Sequence, residues 1–288
     1  MNNRYSMNEL INIIIAREIR DYENVVIGAG IPVTACVLAK GMHAKHATLM
    51  TESGLIGFDP LVPLIGIADV GASRGFSYST DLFSMFTTHA YRGFVDVCFL
   101  GVGQVDKFGN INSTVIGDYD NFKRRLPGSG GAADFFSYAK RTVLTLNRGQ
   151  FVEKLDYLTS PGYLSGGDSR DKSGRFLKGS GPSTLISRKG IFKFDPVSKE
   201  MFLAYNHPGI TVEEIRKDIP WDLKISPDLE ETKPPSAEEL EFTRRFNPIQ
   251  SIGQRAARRF INRKRYPKFP EKGAAFLNGL RSKFFSKK

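Results

Sequence analysis

Glu52 is the residue of this chain best placed to do chemistry. It stands at the end of the apolar stretch in ATLMTES (47–53), and Gly54 follows two residues later. A carboxylate at the end of a buried strand, beside a glycine that lets the chain turn, stands at the crevice of an open α/β sheet, where ligands bind. A solvated turn acid would occupy the same position, and position alone leaves both readings open. Two other motifs offer rival chemistry. Gly28-Ala29-Gly30 follows the strand-like Val25-Val26-Ile27, as a dinucleotide fingerprint would. The third glycine should fall at position 33, which is Val33, and Pro32 sits in the turn, so the fingerprint fails. Gly71-Ala72-Ser73-Arg74-Gly75 has the spacing of a nucleophile elbow. That motif needs a strand before the serine, a helix after it, and then an acid and a histidine. FSYSTDLFSMF could supply the helix, Asp81 an acid, and His89 or His207 the base. Cys36, Cys98, His43, His46, His89 and His207 show no metal-type spacing, so no metal site is expected.

The elements that must position Glu52 follow from hydrophobic patterning. Residues 6–20 predict a helix, with Ser6 and Glu9 at capping-box spacing. Residues 25–27 predict a strand, TACVLAK (34–40) a helix, and 47–53 a second strand. VDVCFLGVGQVD (95–106), RTVLTLN (141–147) and KLDYLTSP (154–161) read as further strands. STLISRKGIFKFD (183–195) and EMFLAYN (200–206) read as antiparallel partners, and TVEEIRKD (211–218) as a short helix. Buried strands alternating with helices predict an α/β fold. Its sheet should be open and mostly parallel, with a short antiparallel addition. The Gly/Ser-rich stretch 163–182 predicts a long surface loop, and the Pro-rich, acidic stretch 225–238 a linker or lid.

Composition narrows the classes further. Of 288 residues, 41% are hydrophobic and 25% charged, ordinary values for a globular chain that builds its own core. The net charge of +11 is misleading as a global property. Residues 251–288 hold twelve Lys/Arg against one acid, which leaves 29 basic and 29 acidic residues in 1–250. A neutral body with a basic tail is not the charge distribution of a nucleic-acid-binding domain. The tail reads as a solvated extension, helical or disordered, or as a basic amphipathic contact for an acidic partner or membrane surface. The expected organisation is a domain over 1–245 and an extension over 246–288. Cys36 and Cys98 sit in apolar surroundings and read as small buried hydrophobes. No run approaches the roughly 20 apolar residues of a membrane span, and the N-terminal INIII stretch lacks the features of a signal peptide. These features predict a cytoplasmic setting.

VVIGAGIP, TESGLIG, GQVDKFGNINSTVIGDY, LPGSGGAADFFSYAKR, DYLTSPGY and KGIFKFD follow one another in this chain. As an ordered set spanning roughly 8–245, they resemble the beta subunits of glutaconate CoA-transferase, among the family I coenzyme A transferases. The resemblance implies a CoA-transferase-like sheet with helices on both faces. It implies that Glu52 is the catalytic nucleophile, carrying the acyl group and then CoA as a glutamyl thioester. Gly130, Gly131 and Ala132 would help form the oxyanion hole, Asn110 would lie near the acyl-CoA carbonyl, and Ser53 and Gly54 would contact substrate. The chemistry suits these residue types. A carboxylate nucleophile keeps each intermediate activated, and N–H groups in a glycine loop can approach an oxyanion without a Cβ in the way. Tyr119, Arg124 and Arg125 follow the GNIN segment, and an arginine there could pair with a substrate carboxylate or a CoA phosphate.

Coenzyme A would be a substrate, with no permanently bound cofactor. The other substrate would be a carboxylic acid, of dicarboxylic type. A separate alpha subunit would complete an α2β2 or larger hetero-oligomer, and nucleic acid would have no part. Two alternatives stand beside transfer. Relatives in the same superfamily hydrolyse, ring-open or decarboxylate acyl-CoA esters, and a non-catalytic binding role would rest on the basic tail.

Overall fold

The computed structural model describes residues 5–27, 31–59 and 70–245. The Gly28-Ala29-Gly30 turn and the basic 246–288 extension lie outside the described residues. Helix α1 spans Met7–Arg17 and opens on the expected capping box: the Ser6 hydroxyl accepts from the Glu9 N–H, and the Glu9 side chain accepts from the Ser6 N–H. Its isoleucine run has weak helix propensity. Burial overrides that weakness, since Leu10, Ile11, Ile13, Ile14 and Ile15 are each at most 3% exposed.

Strand β1 (Asn24–Ile27) leads through α2 (Ile31–Met42) to β2 (Thr48–Thr51), which lies parallel to β1. Short strands β3 (Leu55–Ile56) and β4 (Tyr78–Ser79) continue the edge beyond β2 in antiparallel sense. Helix α3 (Leu82–Ser84) runs on as a π-helix over Met85–Ala90, and β5 (Val97–Gly101) pairs parallel with β1. Next come β6 (Gln104–Val105), β7 (Ile111–Asn112) and the hairpin of β8 (Val115–Gly117) and β9 (Phe122–Arg125). Helix α4 (Ala132–Tyr138) leads to β10 (Arg141–Leu146), parallel to β5. Strand β11 (Gln150–Phe151) joins β6, and α5 (Ser169–Lys172) sits within the long loop. Strands β12 (Pro182–Ser187), β13 (Gly190–Phe194) and β14 (Met201–Asn206) follow, then α6 (Val212–Arg216) and β15 (Lys224–Glu231). Residues 237–245 are helical.

Among the described residues these strands build a ten-stranded sheet in the order β15-β14-β13-β12-β10-β5-β1-β2-β3-β4. The five central strands, β12 to β2, are parallel, and antiparallel pairs flank them on both sides. The expected addition near 183–206 is therefore present, with a second one at β3 and β4. Both faces of the centre are covered. Val25 and Ile27 of β1 pack into a cluster with α1 and α2, whereas Val26 between them packs with Cys98, Met85 and Phe135 on the opposite face.

Four expectations need correction. VDVCFLGVGQVD is two strands, β5 in the main sheet and β6 in a separate three-stranded sheet, and at Gly103 between them Leu126 and Asn112 O leave no room for a Cβ. KLDYLTSP is not a strand; its one bridge to the small sheet pairs Ser160 with Ile111, and Asp156 and Thr159 add side-chain bonds to Gln104 and Asn112. The 225–238 stretch is not a free linker: its first half is edge strand β15 on β14, with a register shift around Pro227. A proline tolerates an edge with an irregular ladder, since it has no N–H to donate. The 163–182 loop is not wholly superficial, because Arg170 within it is 2% exposed.

Candidate active site

The site lies where β2 and the loop before α4 end at one side of the sheet. After Thr51 the chain makes a tight turn, closed by Gly54 N–H to Thr51 O at 3.0 Å. The Thr51 hydroxyl stiffens the turn by accepting from Leu55 N–H (3.2 Å) and lying 2.8 Å from the Ser53 hydroxyl. Gly54 has φ +96°, and a Cβ there would run into Thr80 O, so the turn requires glycine. Glu52 sits half-buried at its crest.

The second wall is Gly128–Gly131. Gly128 N–H donates to Ser113 O (2.8 Å) and the Ser113 hydroxyl to Gly128 O (3.0 Å), which fixes the loop to the turn before β8. The Gly131 backbone lies close against the Glu52 carboxylate, and its N–H favours the charged form of that group. Gly131 has ordinary φ of −79°, but a Cβ there would lie 2.5 Å from Phe86 Cζ and 3.0 Å from Glu52 Cδ. Glycine is needed here for closeness, not for conformation. Phe86 reaches this spot from the π-helix and packs on Phe135 of α4, with ring centroids 4.9 Å apart.

Glu52 and Gly128–Ala132 line one cavity of about 570 Å³. Val26, Cys98, Phe99 and Phe135 supply its apolar depth, and Arg124 and Arg148 its cationic part. Burial raises the Glu52 pKa above the ordinary carboxylate value; the Gly131 N–H works against the rise, and the nearby Asp134 charge adds to it. Burial likewise pushes the Cys98 thiol up to about 12, so this wall residue is a neutral thiol at physiological pH.

The structure brings Glu52, Gly130, Gly131 and Ala132 together around this cavity, with Ser53 and Gly54 in the turn that carries Glu52. The Ala132 N–H is already committed to Ser129 O at 3.0 Å, whereas the Gly131 N–H acts on the Glu52 carboxylate. Asn110 is not brought to the cavity. Its Nδ2 donates to Asp106 (2.7 Å) and Leu164 O (2.8 Å), and its Oδ1 accepts from Gly162 (2.8 Å) and Leu164 (3.1 Å). No amide proton remains for a carbonyl, so Asn110 is a bracket between two loops and not an oxyanion donor. Asp106, which also accepts from the Phe108 and Asn110 N–H groups, is the other half of that bracket.

The G-x-S-x-G segment forms a 3-10 turn (Val70–Ser73) and is followed by β4 where an elbow requires a helix. His207 is buried and held between Thr232 Oγ1 (2.9 Å) and Ser187 O (3.0 Å). Among the described residues no cluster of His, Cys, Asp and Glu could hold a metal ion, and no helix is long and apolar enough to cross a membrane.

Sequence reasoning missed Phe86, Arg148 and Arg170. Arg170 donates to Phe136 O (2.6 Å) at the C-terminal end of α4, and to Pro161 O (2.7 Å) and Gly162 O (2.8 Å). It therefore ties α4, which begins at the glycine loop, to the segment bonded by Asn110. An arginine in a Gly/Ser-rich loop carries no local signal that it will be buried.

A half-buried carboxylate with a raised pKa, one backbone donor and an apolar cavity can act as a nucleophile toward an acyl carbon or as a general base. An open α/β sheet carrying such a site at the strand ends defines the class. The family follows from comparison with known proteins: the coenzyme A transferase family model matches residues 8–218, and the chain belongs to that family. It is 36% identical to the B-type subunit of 3-oxoadipate CoA-transferase from Pseudomonas knackmussii, over 83% of this chain and 92% of that one. It is 32% identical to the B-type subunit of glutaconate CoA-transferase from Acidaminococcus fermentans, over 87% and 96%. The crystal structure of glutaconate coenzyme A-transferase from Acidaminococcus fermentans superimposes with a TM-score of 0.78 at 29% identity, covering 85% of this chain and 95% of that one.

Proposed function

We propose that this chain is the catalytic beta subunit of a CoA-transferase that moves CoA between an acyl-CoA and a carboxylic acid, of dicarboxylic type, through a glutamyl-CoA thioester on Glu52. The observation that carries the proposal is the Glu52 carboxylate at the cavity wall, close against the Gly131 backbone and raised in pKa by burial. The names of the similar proteins, which are B-type subunits of 3-oxoadipate and glutaconate CoA-transferases, support a dicarboxylic substrate and a separate alpha subunit as partner.

In this reading a Glu52 oxygen attacks the thioester carbon, the C–S bond breaks, and an acyl-glutamyl anhydride and CoA thiolate result. The thiolate then attacks Glu52 Cδ and expels the donor acid, leaving CoA on the enzyme as a thioester. The acceptor carboxylate attacks Cδ, expels the thiolate and forms a second anhydride. Thiolate attack on the acceptor carbonyl releases the new acyl-CoA and restores Glu52. Both attacks at Cδ put negative charge on the Glu52 oxygen, which the Gly131 N–H is placed to receive. A preorganised donor of this kind contributes on the order of 10²–10³ in rate. The apolar cavity walls keep water from the anhydride. Coenzyme A enters and leaves as a substrate.

The test is the acceptor dependence of turnover by the chain purified with its alpha-type partner. A transferase forms new acyl-CoA only when an acceptor acid is present. Accumulation of free acid and CoA without acceptor would instead assign the chain to the hydrolytic relatives.

A further inference from the structure

We propose that the β8–β9 hairpin is the landing site for the nucleotide end of coenzyme A: the adenine stacks on the Tyr119–Tyr157 pair and the phosphates meet the cations of Phe122–Arg125. This rests on the acyl-CoA reading of Glu52. Tyr119 is 47% exposed, Phe122 48%, Tyr157 38% and Leu158 50%, so four large apolar side chains face solvent in one place. Grouping of this kind marks a binding surface. Tyr119 and Tyr157 already stack, with centroids 5.4 Å apart, and the Arg125 guanidinium lies 4.8 Å from the Tyr119 ring centroid and 5.3 Å from that of Phe122. Every residue of β9 is exposed, and Lys123, Arg124 and Arg125 follow one another along it. None of the three makes an ion pair among the described residues.

Flat aromatic faces with unpaired guanidinium groups beside them are what a purine with attached phosphates requires. The hairpin is also held in advance of any ligand. Asp156 accepts from Gly117 N–H (2.9 Å) and from Gln104 Nε2 (2.8 Å), and Asp118 closes the turn by accepting from Asp120 and Asn121 N–H. Its position relative to Glu52 fits one extended ligand. Arg124 and Leu126 line the Glu52 cavity, while Tyr119, Phe122 and Arg125 do not. The hairpin is thus the outer lip of a cavity whose depth is apolar. A ligand with a thioester at one end and a phosphorylated nucleotide at the other, joined by a long neutral arm, matches that division. The two arginines left open by the sequence thereby separate, Arg124 toward the cavity and Arg125 toward the outer aromatic group.

Isothermal titration of the full chain, purified with its partner subunit, tests this with two probes: coenzyme A and adenosine 3′,5′-bisphosphate. Tyr119 and Arg125 are surface residues, and circular dichroism is the check that the Tyr119→Ala/Arg125→Ala double variant keeps its fold. Binding of both probes should weaken about tenfold or more in that variant, the loss expected for one stacked base and one phosphate contact. If the variant binds them as tightly as the unaltered chain, or the unaltered chain binds neither, the assignment is wrong. Failure here is separable from failure of the acyl-transfer reading. Nucleotide binding lost in the double variant, with no covalent species ever found on Glu52, would keep the subsite and remove the mechanism. A Glu52 adduct forming with unchanged nucleotide affinity would do the reverse.

Discussion

Replacing Gly131 with alanine isolates the contact on which the proposed chemistry turns. The backbone at Gly131 has φ −79° and ψ 4°, which alanine adopts freely, so conformational strain is not the issue. Space is. The new methyl carbon would start 2.5 Å from Phe86 Cζ and 3.0 Å from Glu52 Cδ, against an ordinary contact of at least 3.4 Å. Either the Phe86 ring or the start of α4 must retreat by about 1 Å, and overpacking of that size costs about 1–3 kcal/mol. Melting should fall by about 2–12 °C for a chain of this length. The catalytic effect should be larger. A misplacement of about 1 Å costs on the order of 10² in rate, and loss of a single oxyanion donor costs 10²–10³. Thermal melting followed by steady-state turnover of acyl-CoA with acceptor separates the two effects. The variant should keep its fold, bind CoA, and lose at least about 10² in kcat. Full kcat in a folded Gly131→Ala variant would refute the view that this N–H and the Glu52 carboxylate work as a unit.

Other predictions follow from the same geometry. Because burial raises the Glu52 pKa, the carboxylate costs the folded state stability as pH rises from the ordinary value of 4.5 through the raised one. Glu52→Gln should therefore melt higher than the unaltered chain at neutral pH, and the difference should vanish at pH below 4.5. Asp134→Asn removes a like charge, so the acid limb of the pH–rate profile should move down. Asn110→Ala leaves the Gly162 and Leu164 N–H groups without their acceptor and should cost about 2–4 kcal/mol in denaturant unfolding. In the protein that remains folded, the KM for acyl-CoA should be close to that of the unaltered chain; a large rise in KM would return Asn110 to the substrate. Burial lowers the Arg170 pKa to about 10, so its guanidinium is charged at neutral pH. Arg170→Ala strands two buried carbonyls and a part-buried one and should lower the melting temperature by on the order of 10 °C.

The parts of the molecule legible from sequence were those written in local patterns. The Ser6/Glu9 capping box, the Val25–Ile27 strand and the Glu52-Ser53-Gly54 turn each depend on neighbours in the chain, and each took the expected form. Residues whose roles depend on distant partners were not legible. Ile225 and Leu229 look like linker residues until β14 is beside them, and Asn110 looks available until two loops close on its amide. The 154–161 segment has strand-like residues, but among the described residues its backbone bonds a strand's backbone only at Thr159 and Ser160, both on Ile111. Phe86 shows the same limit at the site itself. Only the extra residue per turn of a π-helix and the missing Cβ at Gly131 explain why its ring stands beside a carboxylate 34 positions earlier in the chain.

The most direct measurement is the intact mass of the chain after incubation with acyl-CoA, with its partner subunit present and acceptor acid withheld. The reading requires a coenzyme A adduct that peptide mapping places on Glu52 and that does not form in Glu52→Gln. An adduct that persists in Glu52→Gln, or one that maps to another residue, would contradict it.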